Sequence, residues 1–404
     1  MGKSGFGVFF IPRSYFYDIT KRYRRRNGEF GGQMATQKNQ HYVPQFYQRR
    51  FSPDGKTIGS YIFEQDKHIN QAPIKHQASK DYFYTKETEQ KNNVEESLGK
   101  LEAMTQKVME KVDANPCKAL DKIDESTLYV FTILQLGRTV AHANIIQSTA
   151  DTVLKQLMKE EFLHKQSDNK KLSENEINTY CLRFPSLGGF SLGIQAQMIP
   201  TNVDLEQKLL INNTGHAFVT SDNPAVLYNM FFERMGLDES GMGCRGVFVF
   251  MPFSPELAIV LYDGKVYKIG NKRQPYAEIT NKRDIGELNK LTAVNAFQTI
   301  LYNPKVTTVN ELSRLAYYHK KYAVENKVVE IKGVNAKTGN TIMGVHQIGI
   351  MCGLQLSFVK YLPRFAAKTL QNFDSFTDRF REIAQYKDEL INYYFKKKAK
   401  AKSN

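Results

Sequence analysis

Tryptophan is missing from this 404-residue sequence, so 22 Tyr and 26 Phe supply the large aromatic side chains. Cysteine is scarce. Cys117, Cys181, Cys244 and Cys352 lie far apart with no Cys-x-x-Cys pair, which excludes a disulfide framework and a zinc ribbon and fits a reduced, cytoplasmic setting. No apolar stretch nears the roughly 18 residues that would suggest a membrane span. The run Val8–Ile11 is too short for a signal-peptide core, and the basic cluster follows it instead of preceding it. Neither Gly-x-x-x-x-Gly-Lys nor His-Glu-x-x-His occurs. The eight histidines do not group at metal-ligand spacing, so no metal site can be argued from them.

Positive charge, by contrast, is plentiful. The formal net charge is +15, but it is concentrated at the ends. Residues 1–33 carry seven basic against two acidic side chains, and Lys396, Lys397, Lys398, Lys400 and Lys402 meet no acid in the last nine residues. Each end therefore holds +5, which leaves +5 for residues 34–395. Such ends are either plain solvated tails or attractors of polyanions, nucleic acid included, that act in a salt-dependent and sequence-blind way. With 41% hydrophobic and 24% charged residues, the chain has ordinary globular usage. We expect a flexible leader at 1–33 with Met34 as functional start, one elaborated body over 34–395, and a lysine-rich tail at 396–404.

Within the body, helices concentrate over 90–210 and strands over 215–350, which predicts an α+β fold: an N-terminal hairpin and long helices packed on a mainly antiparallel sheet. Val94, Leu98, Leu101, Val108 and Val112 recur at helical spacing, and one longer helix is expected from about Ser126 past Phe162. Ile58 to Phe63, Ala217 to Thr220, Ala225 to Tyr228, Val247 to Phe253 and Leu257 to Tyr262 read as strands, the last closing through Asp263-Gly264 into Val266-Tyr267. Residues 284–302 read as a helix, 328–331 and 341–343 as paired strands, and 375–395 as a last helix.

Several motifs fail on context. Gly189-Phe190-Ser191-Leu192-Gly193 has the form of a nucleophile elbow but lacks the strand that must lead into it, so 185–193 reads as a loop. Asp263-Gly264-Lys265 has the letters of a metal-nuclease acid-x-lysine but reads first as a turn. Glu330-Ile331-Lys332 has the same letters, far downstream of Asp222.

Three segments survive. Gln40-His41-Tyr42-Val43-Pro44-Gln45-Phe46-Tyr47-Gln48-Arg49-Arg50-Phe51 packs a histidine, four aromatics and two arginines around a proline. Thr220-Ser221-Asp222-Asn223-Pro224 interrupts an apolar run, as an Asx-type turn or as a site. Gln135, Arg138 and His142 fall at i, i+3 and i+7 on one helical face. A buried guanidinium there needs a partner, for which Asp222 is the expected choice.

These segments, together with Pro252-Phe253-Ser254-Pro255, resemble a bacterial family known as domain of unknown function 4238 over roughly residues 39–305. Two positions depart from it. Gln48 stands where leucine is usual, and Val140 where a proline commonly follows the Arg-Thr pair, which implies a helix that runs on. The family brings no established activity. From the residue types we expect an enzyme, a hydrolase of nuclease or phosphoesterase kind, that acts on a phosphate-bearing substrate. His41 would be general acid–base, Arg138 would stabilise negative charge, and Asp222 would orient His41 or help hold a divalent ion. Gln45, Gln135 and Asn223 would contact the substrate. The alternative is a non-enzymatic binding protein in which the same groups form a structural network and the basic tails attract polyanions.

Overall fold

The computed structural model describes residues 38–84, 93–164, 173–181, 184, 186–238, 241–323, 328–334, 341–365 and Arg379. The leader, the lysine tail and, apart from Arg379, the expected last helix lie outside the described residues. Strand β1 (Asn39–His41) leads into the short helix α1 (Gln45–Arg49), and β2 (Thr57–Ile62), β3 (Lys67–Pro73) and β4 (Ser79–Asp81) follow. Then come the helices: α2 (Asn93–Ala114), α3 (Lys122–Gly137), α4 (Val140–His164), α5 (Glu174–Thr179) and α6 (Leu187–Gln197). The second half carries β5 (Glu206–Asn212), β6 (Thr220–Ser221), β7 (Val226–Tyr228), α7 (Met230–Arg234), β8 (Phe248–Pro252), β9 (Leu257–Tyr262), β10 (Tyr267–Ile269) and β11 (Tyr276–Ile279). It closes with α8 (Lys282–Asn295), β12 (Thr299–Tyr302), α9 (Val309–Tyr322), the hairpin β13 (Val328–Val334) and β14 (Thr341–Gln347), and β15 (Val359–Tyr361).

The fold is α+β, with mostly antiparallel sheets. A five-stranded sheet runs β11-β5-β9-β8-β7, parallel only between β11 and β5. Strands β8 and β9 are apolar at nearly every position because both faces of the sheet are covered. Val249, Met251, Ile259 and Leu261 face a core shared with α2 and α3, through Leu98, Leu101, Phe131 and Leu134. The alternate residues Phe248, Phe250, Ala258 and Val260 face Ile285, Leu288 and Leu291 of α8 and the 350–365 segment. A four-stranded antiparallel sheet, β3-β2-β12-β6, packs Tyr61, Ile300 and Tyr302 against Leu312 and Leu315 of α9.

Four expectations need correction. The helix expected from 126 past 162 is two helices. Gly137 ends α3, and Thr139 starts α4 as a cap whose Oγ1 accepts from His142 N at 3.3 Å. The helix expected over 284–302 stops at Asn295, and β-branched and aromatic Thr299–Tyr302 become β12, paired with β2 and β6. Asp263-Gly264 is a turn, but it does not fold β9 onto β10, whose partner is β15. Residues 187–197 form α6, not a loop: Gly188 and Gly189 let its first turn lie against Phe83 and Tyr84, where a Cβ would meet their carbonyl oxygens. The expected pairing of 328–331 with 341–343 is present as β13–β14.

Candidate functional site

The four family-like segments meet where the helical layer joins the two sheets. Strand β1 pairs with β4, and beyond it Tyr42 and Val43 donate to the carbonyl of Ala78, a residue held at φ +48°. That left-handed conformation costs an alanine about 1–2 kcal/mol, so the surrounding hydrogen bonds fix this bend. Pro44 precedes α1, whose Tyr47 is fully buried. The Tyr47 hydroxyl donates to Pro252 O at 2.6 Å and, its one proton so used, accepts from Thr220 Oγ1 at 2.7 Å. Arg50 donates Nε to Phe253 O and forms a two-pronged bridge to Asp113, all at 2.7 Å. Gln48 is fully buried despite its polarity, with Nε2 on the carbonyls of Val43 and Gln77.

From the helical side, α3 holds the backbone of the first segment. Gln135 Nε2 donates to Tyr42 O at 2.9 Å. Arg138 donates Nη2 to His41 O at 3.0 Å and to Glu102 Oε1 at 2.8 Å, and Nε to the Tyr84 hydroxyl at 3.1 Å. Burial alone would lower the pKa of Arg138, but the Tyr84 phenol and the Glu102 carboxylate raise it, so the buried guanidinium stays charged. Thr139 then reaches the sheet: its Oγ1 donates to Asn223 Oδ1 at 2.9 Å. Asn223 Nδ2 donates to Asn295 O, and Asn295 returns Nδ2 to the carbonyls of Asn223 and Ala225.

Asp222 is not the partner of Arg138. Its two carboxylate oxygens accept from the backbone N–H groups of Phe297 and Gln298, at 2.9 and 2.8 Å. It thus fastens the α8–β12 connection. Burial raises its pKa to about 6, against the lowering effect of those N–H groups. His41 is half-buried; burial lowers its pKa, helped by the positive charges of Arg138 and Arg49, while the nearby carbonyls of Ile74 and Lys75 oppose. The ring is therefore neutral at pH 7. Gln45 stands apart at the outer face of α1, where it accepts from Arg49.

His142 does not share one continuous face with Gln135 and Arg138, because the chain breaks between α3 and α4. It meets Ser191 of the Gly-x-Ser-x-Gly run instead, with Nδ1 at 2.7 Å from Oγ. The serine donates its proton to Gly137 O at 2.7 Å, so it accepts from His142. This polarity is the reverse of a nucleophile activated by a base. Burial lowers the His142 pKa to about 4.

Asp263 is buried, accepts from Gly246 N and pairs with Arg245, as a structural turn residue would. Glu330 lies on β13, in a hairpin separate from the sheet that carries β6. Among the described residues, no three His, Cys, Asp or Glu side chains stand close enough to hold a metal ion. Sequence reasoning missed Tyr84, Glu102 and Asn295. Only Glu102, an acid beside the apolar stripe of α2, left a readable signal.

A few polar atoms at the joint are buried without a partner: His41 Nε2, Gln48 Oε1, Gln135 Oε1 and Arg138 Nη1. The rest of the joint is matched. Tyr47→Phe, which strands a buried carbonyl and hydroxyl, should lower stability by about 1–3 kcal/mol. A urea titration with unchanged m-value would register it.

Fold and joint together define an α+β protein whose motifs are tied to one another more than to solvent. The chain belongs to the family described as protein of unknown function (DUF4238), which matches residues 39–306. No curated protein and no solved structure matches it.

Proposed function

We propose that this chain is a non-enzymatic binding protein in which the family motifs are a polar joint between helices and sheets. Its excess positive charge recruits polyanions, nucleic acid among them. One observation carries the first part: Arg138 and Asp222, the groups a substrate would need, are buried and, apart from Arg138 Nη1, already bonded within the fold. Arg138 holds Glu102, Tyr84 and His41 O, and Asp222 holds the N–H groups of Phe297 and Gln298. Removing either end of such a link should weaken the fold before it weakens any chemistry. His41→Ala keeps the carbonyl that Arg138 holds but removes a half-buried ring set against the carbonyls of Ile74 and Lys75, and is expected to lower the melting temperature. Removing residues 396–404 should flatten the salt dependence of polyanion binding while leaving the melt unchanged. A variant that melts like the wild type but has lost a turnover the wild type possesses would defeat this reading.

A second reading has an observation of its own. The unpaired Nε2 of His41, Oε1 of Gln135 and Nη1 of Arg138 are polar atoms of the kind that mark ligand or catalytic sites. On that reading the protein hydrolyses a phosphate-bearing substrate with neutral His41 as base. Nuclease and phosphoesterase substrates offered with and without Mg²⁺ or Mn²⁺ would reveal it.

A further inference from the structure

One concavity among the described residues shares no lining residue with the motif joint. It is a cleft of about 410 Å³ beside the edge strand β11, walled by β10 and β15 and by the 270–274 loop. Strands β10 and β15 are antiparallel and place Lys268 directly opposite Lys360. Their neighbours Tyr267 and Ile269 are buried, so the two lysines stand on the outer face, where both line the cleft. Like charges directly opposite across two strands destabilise the pair. Neither lysine makes an ion pair among the described residues, and one acid, Glu278, lies in the cleft. Nothing within the fold accounts for this juxtaposition.

The remaining walls suit the same ligand. Phe358 is a half-exposed aromatic ring on the lining, packed on its inner side against the core that β10 and β11 share. Tyr276 packs on the helical-side core, and Gln274 donates to its hydroxyl at 3.2 Å, which ties the loop to β11. The loop is held from behind by the buried Lys208, whose Nζ donates to Asn271 O at 2.7 Å and to Gln274 O. At its base Gly270 takes φ +57° in close contact with Ala277, a place no larger residue would fit. Lys272 and Arg273 are exposed on its tip.

We propose that this cleft binds single-stranded nucleic acid, with Lys268 and Lys360 holding backbone phosphates and Phe358 stacking on a base. The proposal shares only its partner class with the reading above and does not depend on the motif joint. The test is fluorescence anisotropy of the full chain with a labelled single-stranded oligonucleotide, a duplex of the same sequence, and a nucleoside monophosphate as competitor. The wild type should prefer the single strand, and the monophosphate should compete weakly.

K268Q/K360Q should weaken binding at least tenfold. It should also reduce the salt slope by about 1.4, from two phosphate contacts at about 0.7 each. Its melting temperature should hold or rise, because the repulsion is gone. Phe358→Ala should weaken binding about tenfold with the salt slope intact, and Phe358→Tyr should bind normally. Loss of 396–404 should reduce the slope without abolishing the effect of K268Q/K360Q, which separates cleft from tail. Wild-type affinity in K268Q/K360Q, equal affinity for duplex, or no binding by the wild type at low salt would each overturn the proposal. A monophosphate that competes as strongly as the oligonucleotide would overturn the polymer assignment.

Discussion

Replacing Arg138 by alanine should destabilise the fold by about 3–5 kcal/mol, the scale for breaking a buried ion pair by removing one partner. Four hydrogen-bonded contacts depend on the residue: Glu102, the Tyr84 hydroxyl and the carbonyl of His41 receive its N–H groups, and its own carbonyl accepts from Tyr84. Alanine keeps only the last. The Glu102 carboxylate would lose its partner while three-quarters covered, and the Tyr84 oxygen and His41 carbonyl would be left in a cavity the size of the lost side chain. Arg138→Met, which fills that volume, should cost less than alanine. Arg138→Lys should fall between wild type and alanine, because one ammonium can reach Glu102 but cannot span the fork to Tyr84 and His41 O. Adding Glu102→Gln to Arg138→Met should give less than the sum of the two single effects, by about 1 kcal/mol or more. Urea denaturation followed by circular dichroism gives all five numbers, Glu102→Gln alone included. An alanine variant within 1 kcal/mol of wild type would mean that the motifs are not held together through this residue.

The parts of the fold that were legible in the sequence are those where one local rule acts alone. Strands β8 and β9 announce themselves because a sheet covered on both faces needs apolar residues throughout, and α2 does so because Leu98, Leu101 and Val108 recur at its period. The parts that were not legible are those where tertiary contact overrides the local signal. Gly188 and Gly189 look like loop residues, yet they are helical because α6 presses on the backbone of Phe83 and Tyr84. Thr139 looked like one more residue in a continuous helix. Its role as a cap follows from a side chain 84 positions away, Asn223, which it also binds. The motif segments touch one another in the fold, but Arg138 and Asp222 do not pair within it. Arg138 and Asp222 seemed natural partners by charge alone, whereas Arg138 takes Glu102 and Asp222 takes two backbone N–H groups. Charge complementarity names a set of partners, and only the packing selects among them.

Acid should act on this fold through two buried groups whose effects oppose each other. In the unfolded chain Asp222 titrates near 3.8 and in the folded chain near 6. Between those values the native state binds the extra proton, so Asp222 makes the fold more stable as pH falls from 6 towards 4. His142 is the reverse: near 6.5 unfolded and near 4 folded, it is protonated first in the unfolded chain, and stability falls over the same window. Shifts of this size correspond to about 3 kcal/mol each at about 1.4 kcal/mol per pH unit. In the wild type the two largely cancel. Asp222→Asn removes the stabilising member, and it also sets an amide NH₂ against a backbone N–H, so it should be weaker at every pH. Its deficit relative to wild type should then grow by about 3 kcal/mol between pH 6.5 and pH 4. His142→Asn, whose amide can still donate to Ser191, removes the destabilising member. It should gain about 3 kcal/mol on the wild type over the same range. Lowered His41 titration contributes equally to all three proteins and drops out of the differences. Urea midpoints at half-unit steps from pH 4 to 7.5 measure both curves, and variants that run parallel to the wild type would show that neither group is held away from its solution pKa.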